Sequence, residues 1–405
     1  MMPYEKALAV VLKAVKPRPI EQVTVAGALG RFLARPARAR THSPRFEQSA
    51  MDGYAVRLTD VRGATPDKPV VLELAGEMPA GAARRLVLQP GRTVKVFTGS
   101  RLPTGTEAVV MKEYVTHDDG AAAIAWKVTA GDHIRRVGEE YRRGDVILPA
   151  GLRVTPPVVG MLVMLGIERV AVRRLPSVTV ITMGNELVPA GTAPGPGRIP
   201  DANGPAVVAA LHGLGLRDIR HRRVKDSLRA LTRALVTGLE KSDVVITVGG
   251  ASVGDYDYVH AARRALKIKD RFSKVAVQPG KPNLFGLAVG GKPVFGLPGN
   301  PVSALVSFQM LVRPALLAML GAARTEAPRV PVRLEQATRK RPGRLNWPRA
   351  SVRWDQGVLA AALAAGQGSH MLSGLAGADV LVEIPADTER TPAGADLAAR
   401  WLDWF

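Results

Sequence analysis

The run DVVITV, residues 243–248, is an aspartate followed by five β-favouring residues that give way at once to GGASVGDYD, residues 249–257. A continuous apolar run of that length suits a strand covered on both faces. The pattern recurs at SVTVIT, residues 177–182, and at KPVFGL, residues 292–297. Helical stretches are read between the first two runs, at 203–213 and 227–239. A long helix at 301–320 follows the third, and Pro314 is expected to kink it. Strands alternating with helices make βαβ units, which fixes the fold of this region as a parallel sheet with helices on both faces.

In such a sheet ligands gather outside the carboxyl ends of the strands, and the loops there are loaded. The first strand leads into Met183-Gly184-Asn185-Glu186-Leu187 and the second into the glycine-rich loop. The third leads into Pro298-Gly299-Asn300-Pro301-Val302-Ser303, and Gln278-Pro279-Gly280-Lys281-Pro282 lies just upstream. Gly249, Gly250 and Gly254, with Ser252, let backbone amides approach an oxyanion closely; a tight turn explains the Gly-Gly pair equally well. Asn300 can cap the helix that Pro301 opens, leaving a helix end that favours an anion, with Ser303 facing it. Lys281, between two prolines, suits phosphate or another oxyanion. Glu186 and Asp257 can together hold Mg²⁺, which takes oxygen ligands, although capping or turn roles remain open for each acid alone. The seven histidines show no metal-ligand spacing and are read as surface or core residues.

Outside this region the rhythm differs. Short β-rich runs at 70–74, 93–97 and 108–111, punctuated by glycine and proline, mark a small all-β domain. Just before it, SAMDGYAV, residues 49–56, reads as a loop in which Asp52-Gly53 makes a turn. After a breaker at 324–328, alternating runs at 330–334, 349–353 and 380–384 accompany Trp347, Trp354, Trp401 and Trp404. These predict a compact C-terminal β-barrel whose indoles supply much of its core. Leu8, Val11, Leu12 and Val15 recur at helical spacing between Pro3 and Pro17.

The 405 residues exceed what one core fills. The expected division is an elongated helical and extended linker domain at 1–47 plus 145–175, an inserted β-rich domain at 48–144, the central α/β domain at 176–323 and the barrel at 328–405. With no cysteine the chain has neither disulfides nor thiolate metal sites. There is no signal-peptide pattern, and the apolar run at 156–167 is too short to span a bilayer, which needs ~20 residues. A soluble, cytoplasmic protein is expected. The formal charge of +21 is explained by a solvated arginine-rich surface, with patches at 220–223 and 339–341. Nucleic acid and membrane are not expected partners, since aromatics are only 5% and no RNA-binding or zinc-finger signature is present.

SAMDGYAVR, TGSRLPTGTEAVV (98–110), GGASVGDYD, PGKP and GLPGNPVSA, in this order and spread over nearly the whole chain, resemble the molybdopterin molybdenumtransferases, the MoeA-like proteins whose animal relative is gephyrin. The resemblance implies a cytoplasmic homodimer of four-domain subunits with a MogA-like α/β domain. It also implies the last step of molybdenum cofactor synthesis: adenylylated molybdopterin and molybdate give cofactor and AMP, with Mg²⁺. Contacts with the adenylylating enzyme and with molybdoenzyme chaperones are conceivable. Position by position it implies Asp52, Thr98, Glu140, Glu186, Asp226 and Asp257 as catalytic, with Glu186 and Asp257 on the metal. Gly249, Gly250, Ser252, Gly254, Pro298, Asn300 and Pro301 would hold the pterin nucleotide, and Lys281, Pro282, Ser303, Arg349 and Ser369 the molybdate.

The chain departs from that pattern in several places. Gln278 stands where a basic residue usually precedes PGKP, Glu140 and Asn185 replace aspartates, and Glu47-Gln48 replaces Asp-Asn. Losing one charge-assisted hydrogen bond at position 278 would cost roughly 1.5 to 3 kcal/mol of oxyanion binding. A catalytically impaired paralogue serving as a binding or scaffold protein is the alternative of a different class, and insertion of tungstate the alternative within the same chemistry.

Overall fold

A computed structural model describes residues 1–250 and 258–404. The chain forms two compact units, one of Met1–Arg35, Ala150–Gly160 and Glu168–Phe405, the other of Pro36–Pro149 and Met161–Ile167.

The first unit is built on a six-stranded sheet. Its order is Ile219–Val224, Val178–Met183, Val244–Val248, Pro293–Leu297, Leu284–Leu287, Lys269–Phe272. The first four strands run parallel, and the last two add antiparallel, so the sheet is mixed rather than wholly parallel. Connection length explains the difference. Leu287 returns to Pro293 through the single turn Val289–Gly291, far short of the dozen or more residues a parallel crossover needs.

Side chains alternate between the faces. Val178, Val180, Ile246, Phe295 and Leu297 pack under Asn203–Gly213 and the helical run from Pro301, while Ile181, Met183, Val245 and Val294 pack under Leu228–Lys241 and Tyr258–Ala265. Ser227 caps Leu228–Lys241 by accepting the Ala230 N–H. The bend expected at Pro314 is a π turn, Phe308–Val312, in which the Arg313 N–H reaches back to the Phe308 carbonyl. Pro314, lacking an N–H, then sits in the opening turn of Arg313–Met319. By length and composition Pro301–Met319 would suffice to cross a membrane, but 94% of it is buried inside the protein. The N-terminal helix Tyr4–Ala14 joins the same core, with Tyr4 edge-on to Trp347 at 4.8 Å between ring centroids.

The C-terminal strands Arg329–Leu334, Val358–Leu363, Arg349–Asp355, Val380–Val382 and Asp396–Trp401 close into a barrel. Its core is aliphatic and small, formed by Val332, Ala350, Ala361, Val380, Val382, Ile384 and Ala399. The tryptophans do not fill it as expected. Trp347 is buried in the α/β core, and Trp354 is 73% exposed. Five short strands enclose too little space for indoles.

The second unit holds a six-stranded sheet ordered Ala108–Met111, Gly53–Val56, Arg92–Val96, Val70–Met78, Ala121–Ile124, Val115–Asp118. Apolar clusters around Tyr54 and Val110 on one side, and around Ala55 and Val109 on the other, cover both faces. The SAMDGYAV stretch is therefore a turn only as far as Asp52. Gly53–Val56 is a fully buried strand. A Cβ on Gly53 would lie 2.1 Å from the Val110 carbonyl oxygen, so close approach by the neighbouring strand demands glycine there.

Candidate functional site

Two adjoining cavities lie beyond the carboxyl ends of the parallel strands in the first unit. The larger, about 660 Å³, is lined by Thr182, Met183, Glu186, Asn203, Asp226, Gly249, Gly250, Pro298, Asn300 and Pro301, among others. The smaller, about 440 Å³, is lined by the Gln278–Pro282 loop and by Arg339, Lys340, Arg344, Arg349 and Ser369 of the C-terminal segment. Pro282, Asn300 and Ser303 belong to both walls.

The larger cavity owes its shape to tight turns. Gly249 and Gly250 adopt φ of 93° and 67°, and side chains there would strike the backbone and side chain of Met183. The Gly249 N–H donates to the Leu297 carbonyl, tying two strand ends together. Glu186 is exposed and has no cationic partner among the described residues. Asp226 accepts the Asn185 N–H at 2.9 Å, and Asn185 Oδ1 accepts the Asp226 N–H in return at 3.1 Å. An acceptor oxygen at position 185 thus survives the replacement of aspartate by asparagine.

Sequence reasoning missed the wall behind these acids. Asp201, 3% exposed, accepts the Thr182 hydroxyl at 2.5 Å and the Gly204 N–H at 2.9 Å. His221 Nε2 stands 3.3 Å from the same carboxylate and 3.0 Å from Thr182 Oγ1. Burial pushes the Asp201 carboxyl up, yet the hydrogen bonds from His221, Thr182 and Gly204 together bring it below the ordinary carboxylate value. Asp201 precedes Asn203, whose side-chain amide donates to the Gly299 carbonyl at 2.6 Å. The Asp201-Ala-Asn203 run at the entry of a predicted helix was the available signal.

Asn300 does not cap its helix with its side chain. Its amide donates instead to Ser369 Oγ at 2.7 Å, and the Ser369 carbonyl accepts the Val302 N–H at 3.1 Å. Pro301 opens the helix as expected. Ser303 is buried at 4% exposure and lines both cavities.

Five cationic side chains line the smaller cavity, Lys281, Arg339, Lys340, Arg344 and Arg349, with no carboxylate in its wall among the described residues. Arg349 is 1% exposed, and its guanidinium donates to the carbonyls of Gly366, Gln367 and Gly368. Its Nε has no partner among the described residues, and burial pushes its pKa down. Lys340 donates to the Arg344 and Ala386 carbonyls, each at 3.1 Å. The Lys281 carbonyl accepts the N–H groups of Val275 and Asn283, and Asn283 donates to Ser307 Oγ at 2.9 Å. That fixes the loop while leaving the Lys281 ammonium without a partner among the described residues. The patch at 339–341, read from sequence as solvated charge, in fact contributes two residues to this wall. His370 likewise lines the larger cavity rather than a plain surface.

Asp52, Thr98 and Glu140 lie in the second unit. Asp52 Oδ1 accepts both the backbone N–H and the hydroxyl of Thr98 at 2.9 Å, and Lys112 stands 3.6 Å from Oδ2. The Thr98 N–H foremost, then its hydroxyl, holds the Asp52 carboxyl below its ordinary value. Glu140 is not brought to this pair; it accepts the Ser43 hydroxyl at 2.8 Å in a separate cavity of about 630 Å³ lined also by His42, Arg45, Arg135 and Glu139. Ser252, Gly254 and Asp257 lie outside the described residues, and among the described residues no three histidine or carboxylate groups gather as a metal site.

Comparisons with known proteins bear on this arrangement. Residues 2–166 match the model of the MoeA N-terminal region, domains I and II. Residues 179–318 match a probable molybdopterin binding domain, and 331–399 the MoeA C-terminal region, domain IV. Molybdopterin molybdenumtransferase 2 of Mycobacterium tuberculosis is 35% identical over 400 residues, 97% of each chain. Two solved structures of a molybdopterin biosynthesis MoeA protein from Pyrococcus horikoshii superpose with TM-scores of 0.80 and 0.84. They are 31% and 27% identical, and each pairing covers 99% of this chain and 99% or more of the other.

Proposed function

The chain belongs to the MoeA family of molybdopterin molybdenumtransferases, and from that premise we propose that its two adjoining cavities carry the two halves of one reaction. It is a transferase of molybdenum cofactor biosynthesis that inserts molybdenum into molybdopterin. In the finer reading the substrate is adenylylated molybdopterin, and AMP leaves as molybdate enters.

The observation that carries this reading is the cavity of about 440 Å³ walled by five cations and, among the described residues, no carboxylate, opening beside one that presents two acids. Two of these cations, Lys340 and Arg349, are buried and held by carbonyl dipoles alone among the described residues, which leaves a positive potential that a doubly charged tetrahedral oxyanion satisfies. Lys281 offers a free ammonium, Arg349 a guanidinium oriented by three carbonyls, and Ser303 and Ser369 offer hydroxyls. In the larger cavity Gly249 and Gly250 bring backbone close to the nucleotide phosphates, and the 298–301 turn borders the pterin.

Glu186 and Asp226 face the larger cavity without a cationic side-chain partner among the described residues, a donor set that fits a hard cation taking oxygen ligands. Glu186 would hold Mg²⁺, with Asp257 as the second carboxylate. When bound, that ion neutralises charge on the phosphoanhydride. Asp226, tied to Asn185, fixes the turn that presents Glu186. The resemblance of SAMDGYAV and TGS supports roles for Asp52 and Thr98 in the same reaction, and supports Glu140 and a homodimer, which sedimentation would test.

The test uses purified protein with adenylylated molybdopterin, Mg²⁺ and a molybdate titration, following AMP and cofactor together. Equal amounts of both, each requiring Mg²⁺, are expected. Tight substrate binding with no AMP release would overturn the reading.

A further inference from the structure

Of the five cations in the smaller cavity, three are already engaged. Arg349 donates to three carbonyls, Lys340 to two, and Arg339 stands 3.5 Å from Glu389. Only Lys281 and Arg344 have side chains with no partner among the described residues. We propose, building on the reading of this cavity given above, that Arg344 is its second free cation and binds a doubly charged oxyanion group together with Lys281.

The backbone is arranged to hold Arg344 in that wall. Its carbonyl accepts from the nine-tenths-buried Lys340 ammonium. The next two residues, Leu345–Asn346, form a parallel pair with Val277–Gln278, in the register Val277↔Leu345 and Gln278↔Asn346. The Leu345 N–H donates to the Ala276 carbonyl and the Trp347 N–H to the Gln278 carbonyl, at 3.0 and 2.8 Å. Arg344 is thus anchored two residues before the partner of Gln278, about 7 Å along the strand. A guanidinium side chain spans that distance, so the positive charge that Gln278 does not provide is supplied from the opposite strand. Arg344 is half-buried, and a bidentate guanidinium suits a tetrahedral oxyanion. Lys340 is a positioning residue in this scheme.

Wild type, Arg344→Gln, Arg344→Lys and the double variant Gln278→Lys with Arg344→Gln would be titrated with molybdate by calorimetry, then assayed for AMP release and cofactor formation. Because the Arg344 side chain has no partner to lose among the described residues, Arg344→Gln should melt at the wild-type temperature. Its molybdate affinity should fall roughly ten- to hundredfold, as expected for one lost charge-assisted hydrogen bond. Lysine at 344 should recover part of this, and lysine at 278 should recover much of it from the opposite strand. A loss confined to molybdate half-saturation assigns the free oxyanion to Arg344; a loss confined to KM for the adenylylated substrate assigns the substrate's phosphate. If neither changes in Arg344→Gln while wild type is active, the proposal is overturned. A wild type that binds no molybdate and releases no AMP removes the parent reading, and this one with it.

Discussion

The side-chain amide of Asn300 donates to the hydroxyl of Ser369 at 2.7 Å, joining the turn after the last parallel strand to the segment that leads back from the barrel. This bond stands on the wall common to both cavities, since Asn300 lines each of them. Ser369→Ala leaves the Ser369 carbonyl to accept the Val302 N–H and removes only the hydroxyl. A neutral hydrogen bond nets about 0.5–1.5 kcal/mol. Molybdate half-saturation should rise several-fold, with only a small drop in melting temperature from the lost Asn300 bond; a variant indistinguishable from wild type in the titration would remove Ser369 from the oxyanion site.

In the proposed reaction Glu186 receives the divalent cation. Glu186→Gln keeps the size and removes the charge, so the Mg²⁺ concentration for half-maximal AMP release should rise at least tenfold. The oxyanion cavity should be untouched, leaving calorimetric molybdate affinity as in wild type. An unaltered Mg²⁺ requirement would move the metal away from Glu186.

Asp52 is held ionised. With its carboxyl depressed by the Thr98 N–H and hydroxyl, this contribution to stability is complete above the ordinary carboxylate range and is lost as pH falls through the lowered native value. The pH–activity profile between about 5 and 9 should show no inflection from this group. Thr98→Val removes the hydroxyl but retains the N–H, so the Asp52 titration followed by carbon NMR should move only part of the way back. A native value above the ordinary carboxylate range would contradict the geometry.

Asp201 makes the corresponding case inside the first unit. Asp201→Asn leaves one oxygen to accept the Gly204 N–H but turns the acceptor that serves Thr182 and His221 into a donor, a loss of about 1–3 kcal/mol. Because the native Asp201 pKa is lowered, the stability difference should be full at neutral pH. It should shrink only as pH falls below the ordinary carboxylate range. Urea midpoints at neutral and acid pH check both statements, and a pH-independent difference would argue that packing, not charge, matters there.

Gly53→Ala tests the strand reading of SAMDGYAV. The added methyl meets the Val110 carbonyl, and relieving such overpacking costs about 1–3 kcal/mol. A lower denaturation midpoint for the second unit is expected; wild-type stability would mean the two strands separate easily at that point.

Much of this was legible in the sequence because apolar period and turn chemistry act locally. The strands at 178–183 and 244–248 and the helix Asn203–Gly213 stand where DVVITV and its companions indicated. What escaped depends on contacts distant in sequence. Gly53 looked like a turn residue because Val110, the residue that forbids a side chain there, is nowhere near it in the chain. Arg339 and Lys340 looked like solvated charge, and Arg344 drew no reading at all, because only the pairing of Leu345–Asn346 with Val277–Gln278 brings this segment to the Lys281 loop. The tryptophans misled for a different reason: their size says that they are buried, not in which core.

Three residues, Pro282, Asn300 and Ser303, serve as the partition between the two cavities. Under the proposed reaction, the dithiolene of a substrate held on one side remains tethered by the rest of the pterin beside the oxyanion on the other. Capture then depends on an effective concentration fixed by that short tether, of the order of millimolar or higher, and not on how scarce molybdate is once a single ion has been bound. A partition this thin makes the second half of the reaction a local rearrangement, in which the bound pterin never has to pass through bulk water.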